Sequence, residues 1–217
     1  MTTAIIGTGK IGGQVARHLV AGGERVVVAA HDESHAAALA SELGSLASAA
    51  PVRQAIAGAD VVVLAVWLDT TKKLIAENRD LLHDKVVVDP SNPIQVDANG
   101  TVTRTLPDGQ SAASVIASLL PADAHLVKAF GTLGADALAS SAHRKPRRAV
   151  LFYATDDEGA AGAVERLITT AGFDAVRAGG LGDAIRIEVS GDLHQFGGLN
   201  GNVVDADEAR AAVAVAA

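Results

Sequence analysis

The stretch IIGTGKIGGQ, residues 5–14, sets Gly7, Gly9 and Gly12 directly after a short apolar run. A Gly-x-Gly-x-x-Gly spacing between a strand and a helix suits a diphosphate. The first glycine permits a tight turn, the second lets backbone approach the anion, and the third lets the helix pack close to the strand. Gly7, Thr8, Gly9, Lys10, Ile11 and Gly12 are therefore expected to cradle a dinucleotide's pyrophosphate. There the unpaired N–H groups and dipole of a helix N-terminus favour negative charge. Further on, AAHDESH (residues 29–35) offers Asp32, about twenty residues past Gly12, where an acid accepts from the ribose 2′-hydroxyl of NAD. Beside it His31, Ser34 and His35 could contact the 2′-phosphate of NADP. These residues leave the choice between the two cofactors open.

Ligands of an open parallel sheet lie outside the carboxyl ends of its strands. Three further segments fall at such ends: Ala65-Val66-Trp67, Ser91-Asn92-Pro93 and Ala129-Phe130-Gly131. Trp67 is either a wall of the nicotinamide pocket or part of the core. Asn92 either bonds the cofactor's carboxamide or ribose, or closes its own turn. Lys128 is expected to point to solvent rather than into the site. Hydride transfer between two bound rings needs alignment and exclusion of water more than a strong base. No Ser-His-Asp signature or two-histidine zinc motif is evident, and no metal site is expected. If a proton donor exists, His194 in GDLHQFGG is the candidate, with Phe196 placed to pack on a flat ring; the other reading is a histidine that holds a loop or a dimer contact.

The elements that must position these residues read as strand, helix, strand, helix. Expected strands are Thr3–Ile6, Arg25–Ala29, Asp60–Val66, Lys85–Asp89, His125–Ala129, Ala149–Ala154 and Ala175–Ala178. Several are nearly all apolar, as strands covered on both faces should be. Helices are expected over Lys10–Ala21, Ser34–Leu43, Pro51–Ala57, Thr71–Leu82, Ser111–Leu120, Gly134–Ala142 and Glu158–Ala171, with Asp205-x-x-Glu208 capping a last one. This predicts an α/β class: a doubly wound, mainly parallel Rossmann sheet with a small C-terminal extension. The expected division is a dinucleotide-binding domain over 1–148 and, over 149–217, an extension that caps and completes the substrate site. Asp97–Gln110 reads as a long loop with a small hairpin.

The totals narrow the function classes. With 217 residues, 49% hydrophobic and 20% charged, the chain can bury a proper core. A formal net charge of −7 gives no broad attraction for nucleic acid or an anionic membrane, so neither is an expected partner. No cysteine is present, which rules out disulfides and thiolate chemistry. The longest apolar run, Val61–Leu68, is far below the ~20 residues of a membrane span, and a cytoplasmic protein is expected.

The motifs IIGTGKIG, VVLAVW, VVVDPSNP and VKAFGTL, with the tail IRIEVSGDLHQFGGLNG, resemble the NADPH-dependent reductases of coenzyme F420, the F420-dependent NADP oxidoreductases. The resemblance implies an oxidoreductase passing hydride between NADP(H) and the deazaflavin coenzyme F420 as second substrate, often as a homodimer. Ala30-His31 stands where the family usually has Ser-Arg, Val66 where proline is common, and Gly131 where asparagine is usual. NAD(H) therefore remains a possible cofactor. Another small-molecule redox acceptor (a flavin, quinone or small carbonyl) and a non-catalytic nicotinamide sensor are the rival readings. The basic run His143–Arg148 would be either a solvated turn or a receiver for the deazaflavin's anionic tail.

Overall fold

The computed structural model describes residues 1–215. Ten strands run in chain order: β1 Thr3–Ile6, β2 Val26–Ala29, β3 Ala47–Ala49, β4 Val61–Leu64, β5 Val86–Asp89, β6 Ile94–Val96, β7 Val102–Arg104, β8 His125–Lys128, β9 Val150–Ala154 and β10 Asp174–Gly179. The α-helices are α1 Lys10–Ala21, α2 Glu33–Leu43, α3 Val52–Ala57, α4 Leu68–Asn78, α5 Ala112–Leu119, α6 Ala135–Ser141, α7 Glu158–Thr170 and α8 Ala206–Val215. Eight strands form one sheet of order β10-β9-β8-β5-β4-β1-β2-β3, and β6 and β7 form a separate hairpin. From β3 to β8 the order is that of two mononucleotide halves meeting between β1 and β4, and all pairs within it are parallel.

Alternation along the central strands builds the two layers. In β4, Val61 and Val63 face one cluster while Val62 and Leu64 face the other. Val15 and Leu19 of α1 and Val164, Leu167 and Ile168 of α7 cover the first face. Ala55 and Ile56 of α3, Ile75 of α4 and Ile116 of α5 cover the second. Side chains of a strand point alternately to either side, so a strand covered on both faces reads as a continuous apolar run.

The structure adds two features to the expected pattern. The first is β3, a three-residue Ala-Ser-Ala strand paired with β2. Its residues have little strand propensity of their own, and pairing with β2 alone makes it a strand. The second is direction: β9 runs antiparallel to β8, at Lys128 and Ala154, while β10 is parallel to β9. From Ala149 onward the chain thus extends the same sheet with a strand pair of reversed sense. Hydrophobic pattern carries no strand direction, so the sequence could not announce this.

The hairpin starts earlier than expected, at Ile94, and turns over Asp97, whose Oδ1 accepts from the N–H groups of Asn99 and Thr101 at 2.8 Å each. The last helix is capped as expected. Asp205 N–H donates to Glu208 Oε2 (2.9 Å), and Glu208 N–H donates to Asp205 Oδ1 (3.1 Å). Among the described residues, no helix is long and apolar enough to cross a membrane.

Candidate functional site

The turn after β1 meets the start of α1 beside the turn after β4. Gly7 has φ +105°, and a Cβ there would lie 2.4 Å from the carbonyl oxygen of Ala65. A Cβ on Gly12 would lie 2.0 Å from the carbonyl oxygen of Gly7. These two glycines are required by the fold itself. Gly9 is different. Its φ of −71° suits any residue, and a Cβ there would meet nothing within 4 Å. Nothing inside the protein asks for glycine at this position.

Gly9 is also the N-cap of α1, and it offers no side chain to the helix's first N–H groups. The first turn holds no acid. By contrast, α2, α5 and α7 are capped by Asp32, Ser111 and Asp157, and α4 and α6 carry Asp69 and Asp136 in the first turn; the six-residue α3 shares the uncapped, acid-free start of α1. An uncapped helix start with free N–H groups is a site for an anion. Thr8, Lys10 and Ile11 sit around it, partly or fully exposed. The residues present fit a diphosphate.

At the end of β2, Gly7 N–H donates to the Ala29 carbonyl at 2.8 Å, so this strand end adjoins the glycine turn. Asp32 Oδ1 accepts from the backbone N–H (2.9 Å) and the hydroxyl (2.6 Å) of Ser34. The bonds from the Ser34 hydroxyl and N–H hold the Asp32 carboxyl below its ordinary range. Asp32 Oδ2 lies 4.0 Å from His35, and His31 is exposed. Ser34 therefore serves Asp32 first, and no arginine or lysine stands in the segment.

Ala65 and Val66 pack against Gly7, and Trp67 is 59% exposed at the start of α4. Trp67 is thus not core. Trp67 and Phe196, 62% exposed, are the two open aromatic side chains among the described residues, and both lie on loops.

The ends of β5 and β8 hold what sequence reasoning missed. Lys128 does not point to solvent: it is 1% exposed, between Asp89 and Glu188, both 0% exposed. Its Nζ lies 2.6 Å from Asp89 Oδ2 and 3.4 Å from Glu188 Oε1, and it donates to the Ser91 carbonyl. Asp89 Oδ1 accepts from Ser91 N–H at 2.8 Å, and Glu188 Oε1 from Ala113 N–H, in the first turn of α5, at 3.2 Å. Asp89 was visible as the charge closing an apolar run. Glu188, 60 residues beyond Lys128 in IRIEVSG, carried no local signal.

Just above this cluster, Asn92 is engaged at both ends of its amide. Nδ2 donates to the Gly131 carbonyl (3.1 Å), and Oδ1 accepts from Val189 N–H (2.7 Å). Gly131 is a close approach: a Cβ there would lie 2.5 Å from the Pro90 carbonyl oxygen. Phe130, buried, takes φ +62°, a conformation non-glycine residues adopt mainly where the surroundings impose it. Ser91, Pro93 and Ala129 complete this edge.

His194 is corrected as a proton donor. It is 1% exposed, its Nδ1 accepts from Phe196 N–H at 2.9 Å, and its Nε2 lies 3.0 Å from the Gly131 carbonyl. An accepting Nδ1 leaves the proton on Nε2, which donates to that carbonyl. Burial pushes its pKa down to about 4. A neutral histidine with both nitrogens engaged holds a loop. Gln195 does the same, accepting from Gly134 N–H and donating to the Gly201 carbonyl at 2.8 and 3.1 Å. Two members of the basic run are engaged within the protein: Arg147 pairs with Asp205 and Asp207, and Arg144 donates to the Val203 carbonyl; Lys145 and Arg148 are exposed.

Sheet order and glycine turn together define a Rossmann-type protein, with the carboxyl ends of β1, β2, β4, β5 and β8 around one mouth. Residues 2–93 match the family described as NADP oxidoreductase, coenzyme F420-dependent. An F420-dependent NADP reductase of Methanothermobacter thermautotrophicus is 30% identical over 148 residues, 64% of this chain and 64% of the reductase's own length. A hypothetical protein of Sinorhizobium meliloti superposes with a TM-score of 0.80 at 28% identity, over 89% of this chain and 93% of that one. A proposed F420-dependent NADP reductase of Arthrobacter sp. FB24 superposes with a TM-score of 0.72 at 22% identity, over 83% and 86%, and bears on the fold alone. The resemblance read from the motifs is thus found again in the family match and in the reductase.

Proposed function

We propose that this chain is an NADP-dependent oxidoreductase that exchanges hydride between NADP(H) and coenzyme F420. The observation that carries the reading is Gly9: a glycine the fold does not need, at an uncapped helix start, in the first turn of a Rossmann sheet. The family match over residues 2–93 and the related reductase support the cofactor and the acceptor.

In this reading the Gly7–Gly12 turn holds the pyrophosphate through the first N–H groups of α1. Asp32, with His31 and Ser34, meets the adenosine ribose. Ala65, Val66, Trp67, Ser91, Pro93, Ala129, Phe130 and Gly131 border the nicotinamide half, and Asn92 braces it rather than binding it. The segment after Ala149 completes the acceptor's pocket, with Phe196 as its aromatic wall. Bound there, the nicotinamide would supply or take up a hydride, and a deazaflavin that received it would be balanced by one proton from bulk solvent. The chain's own task is to align two flat rings and keep water from between them, and no buried side chain need give or take a proton.

Anaerobic mixing of protein, NADPH and F420 should bleach the deazaflavin absorbance band, with NADH run in parallel to rank the two cofactors. Turnover of NADPH with a flavin or quinone but not F420 would overturn the acceptor. Failure to bind either nicotinamide cofactor would overturn the whole reading.

A further inference from the structure

Asp89, Lys128 and Glu188 are the only Asp, Glu, Lys or Arg side chains buried among the described residues. They bring two carboxylates against one ammonium, at the carboxyl ends of β5 and β8 and on the segment that follows β10. Charges this deep are costly and are usually matched one to one. Here the match is incomplete. Glu188 Oε2 has no hydrogen-bond partner, and neither has the buried hydroxyl of Ser91 or of Thr132 on the two adjoining loops. Lys128 leans to Asp89, at 2.6 Å against 3.4 Å to Glu188, and a single N–H of α5 adds to Glu188. A core needing only to tie loops together would be served by one ion pair.

The location suggests what the surplus acid does. A dinucleotide spans both halves of such a sheet, with its adenosine at the β2 end, so its nicotinamide lies over the β4-β5-β8 half. That ring is cationic when oxidised and neutral when reduced. We propose that the Asp89–Lys128–Glu188 cluster is an electrostatic positioning element whose surplus carboxylate favours the cationic, oxidised nicotinamide over the neutral one. The cluster thereby makes bound NADPH a readier hydride donor. The inference rests on the nicotinamide reading above and assigns Glu188 a role within it. At the effective dielectric of a protein interior, one charge about 10 Å away changes the ratio of the two affinities roughly tenfold.

The test is calorimetric affinity for NADP+ and for NADPH, measured separately and without any acceptor. Glu188→Gln keeps the side chain's shape and removes the surplus charge. It should weaken NADP+ about tenfold relative to NADPH, while Glu188→Asp keeps the wild-type ratio. Lys128→Gln should move the ratio the opposite way, and Lys128→Gln/Glu188→Gln together should bring it back. Each variant that folds decides the matter against wild type. A ratio unchanged within twofold, or an equal loss for both forms, overturns the proposal and leaves the cluster a brace. Wild-type protein that binds neither form would sink the nicotinamide reading instead.

Discussion

The two halves of the mouth are built on opposite principles. At the glycine turn the protein leaves its own groups unsatisfied: α1 starts without a cap, and space stands open over Gly9. Two strands away, across β4, the polar side chains at the ends of β5 and β8 are mostly engaged with the protein itself, Glu188 Oε2 and the Ser91 and Thr132 hydroxyls excepted. Lys128, Asp89, Asn92, His194 and Gln195 bind one another's loops through buried or half-buried hydrogen bonds. In the proposed reading the first half would bind by what it withholds. The second would bind by rigid shape, since its polar side chains mainly hold main chain in place. A side chain added at Gly9 should therefore cost affinity and spare the fold, whereas loss of a buried brace in the second half should cost stability.

The largest effect expected is on Lys128. Lys128→Met leaves two buried carboxylates with no counter-charge and should destabilise the protein by about 3–5 kcal/mol, read from denaturant unfolding. A loss under about 1 kcal/mol would mean that water reaches the cluster, and the contrast between the halves would fail.

His194 sharpens the same side. Its folded pKa of about 4 lies below the ordinary value of 6.5. The unfolded chain therefore takes up a proton at a pH where the folded one does not. Stability should be complete above pH 6.5, fall as pH drops toward 4, and level off below it. The contribution of this one group is about 3 kcal/mol. His18, also pushed down by burial, acts in the same direction. Melting temperature against pH should show a shallower slope for His194→Gln than for wild type; equal slopes would place the titration elsewhere.

On the open side, Gly9→Val should leave the melting temperature nearly unchanged, since its Cβ meets nothing. The same change should weaken NADPH by about 100-fold or more, the loss of one or two charge-assisted hydrogen bonds. Gly12→Val, with backbone 2.0 Å from the new Cβ, should instead disturb the fold. If both variants unfolded alike, Gly9 would be a structural glycine and the nucleotide reading would lose its support.

Much of this was legible in residue order. Apolar runs marked nearly every sheet strand, because covering both faces demands it. Local rules marked helix ends, as at Asp205 and Glu208, and three glycines marked the turn, because backbone geometry depends on neighbours in the chain. The short β3 and the reversed sense of β9 were not legible, since pairing partners decide them. Lys128 misled for the same reason. A lysine is normally solvated, and what buries this one, Glu188, arrives 60 residues later. His194 stood out as a chemical group, yet its two partners, Gly131 and Phe196, settle that it carries its proton inward. The sequence by itself determined the layered α/β order and the anion-ready turn, because periodicity and φ preferences act within a few residues. Only the tertiary structure decided which charges are buried, which nitrogens are free and which walls are rigid, because desolvation and hydrogen bonding depend on what the distant chain brings close.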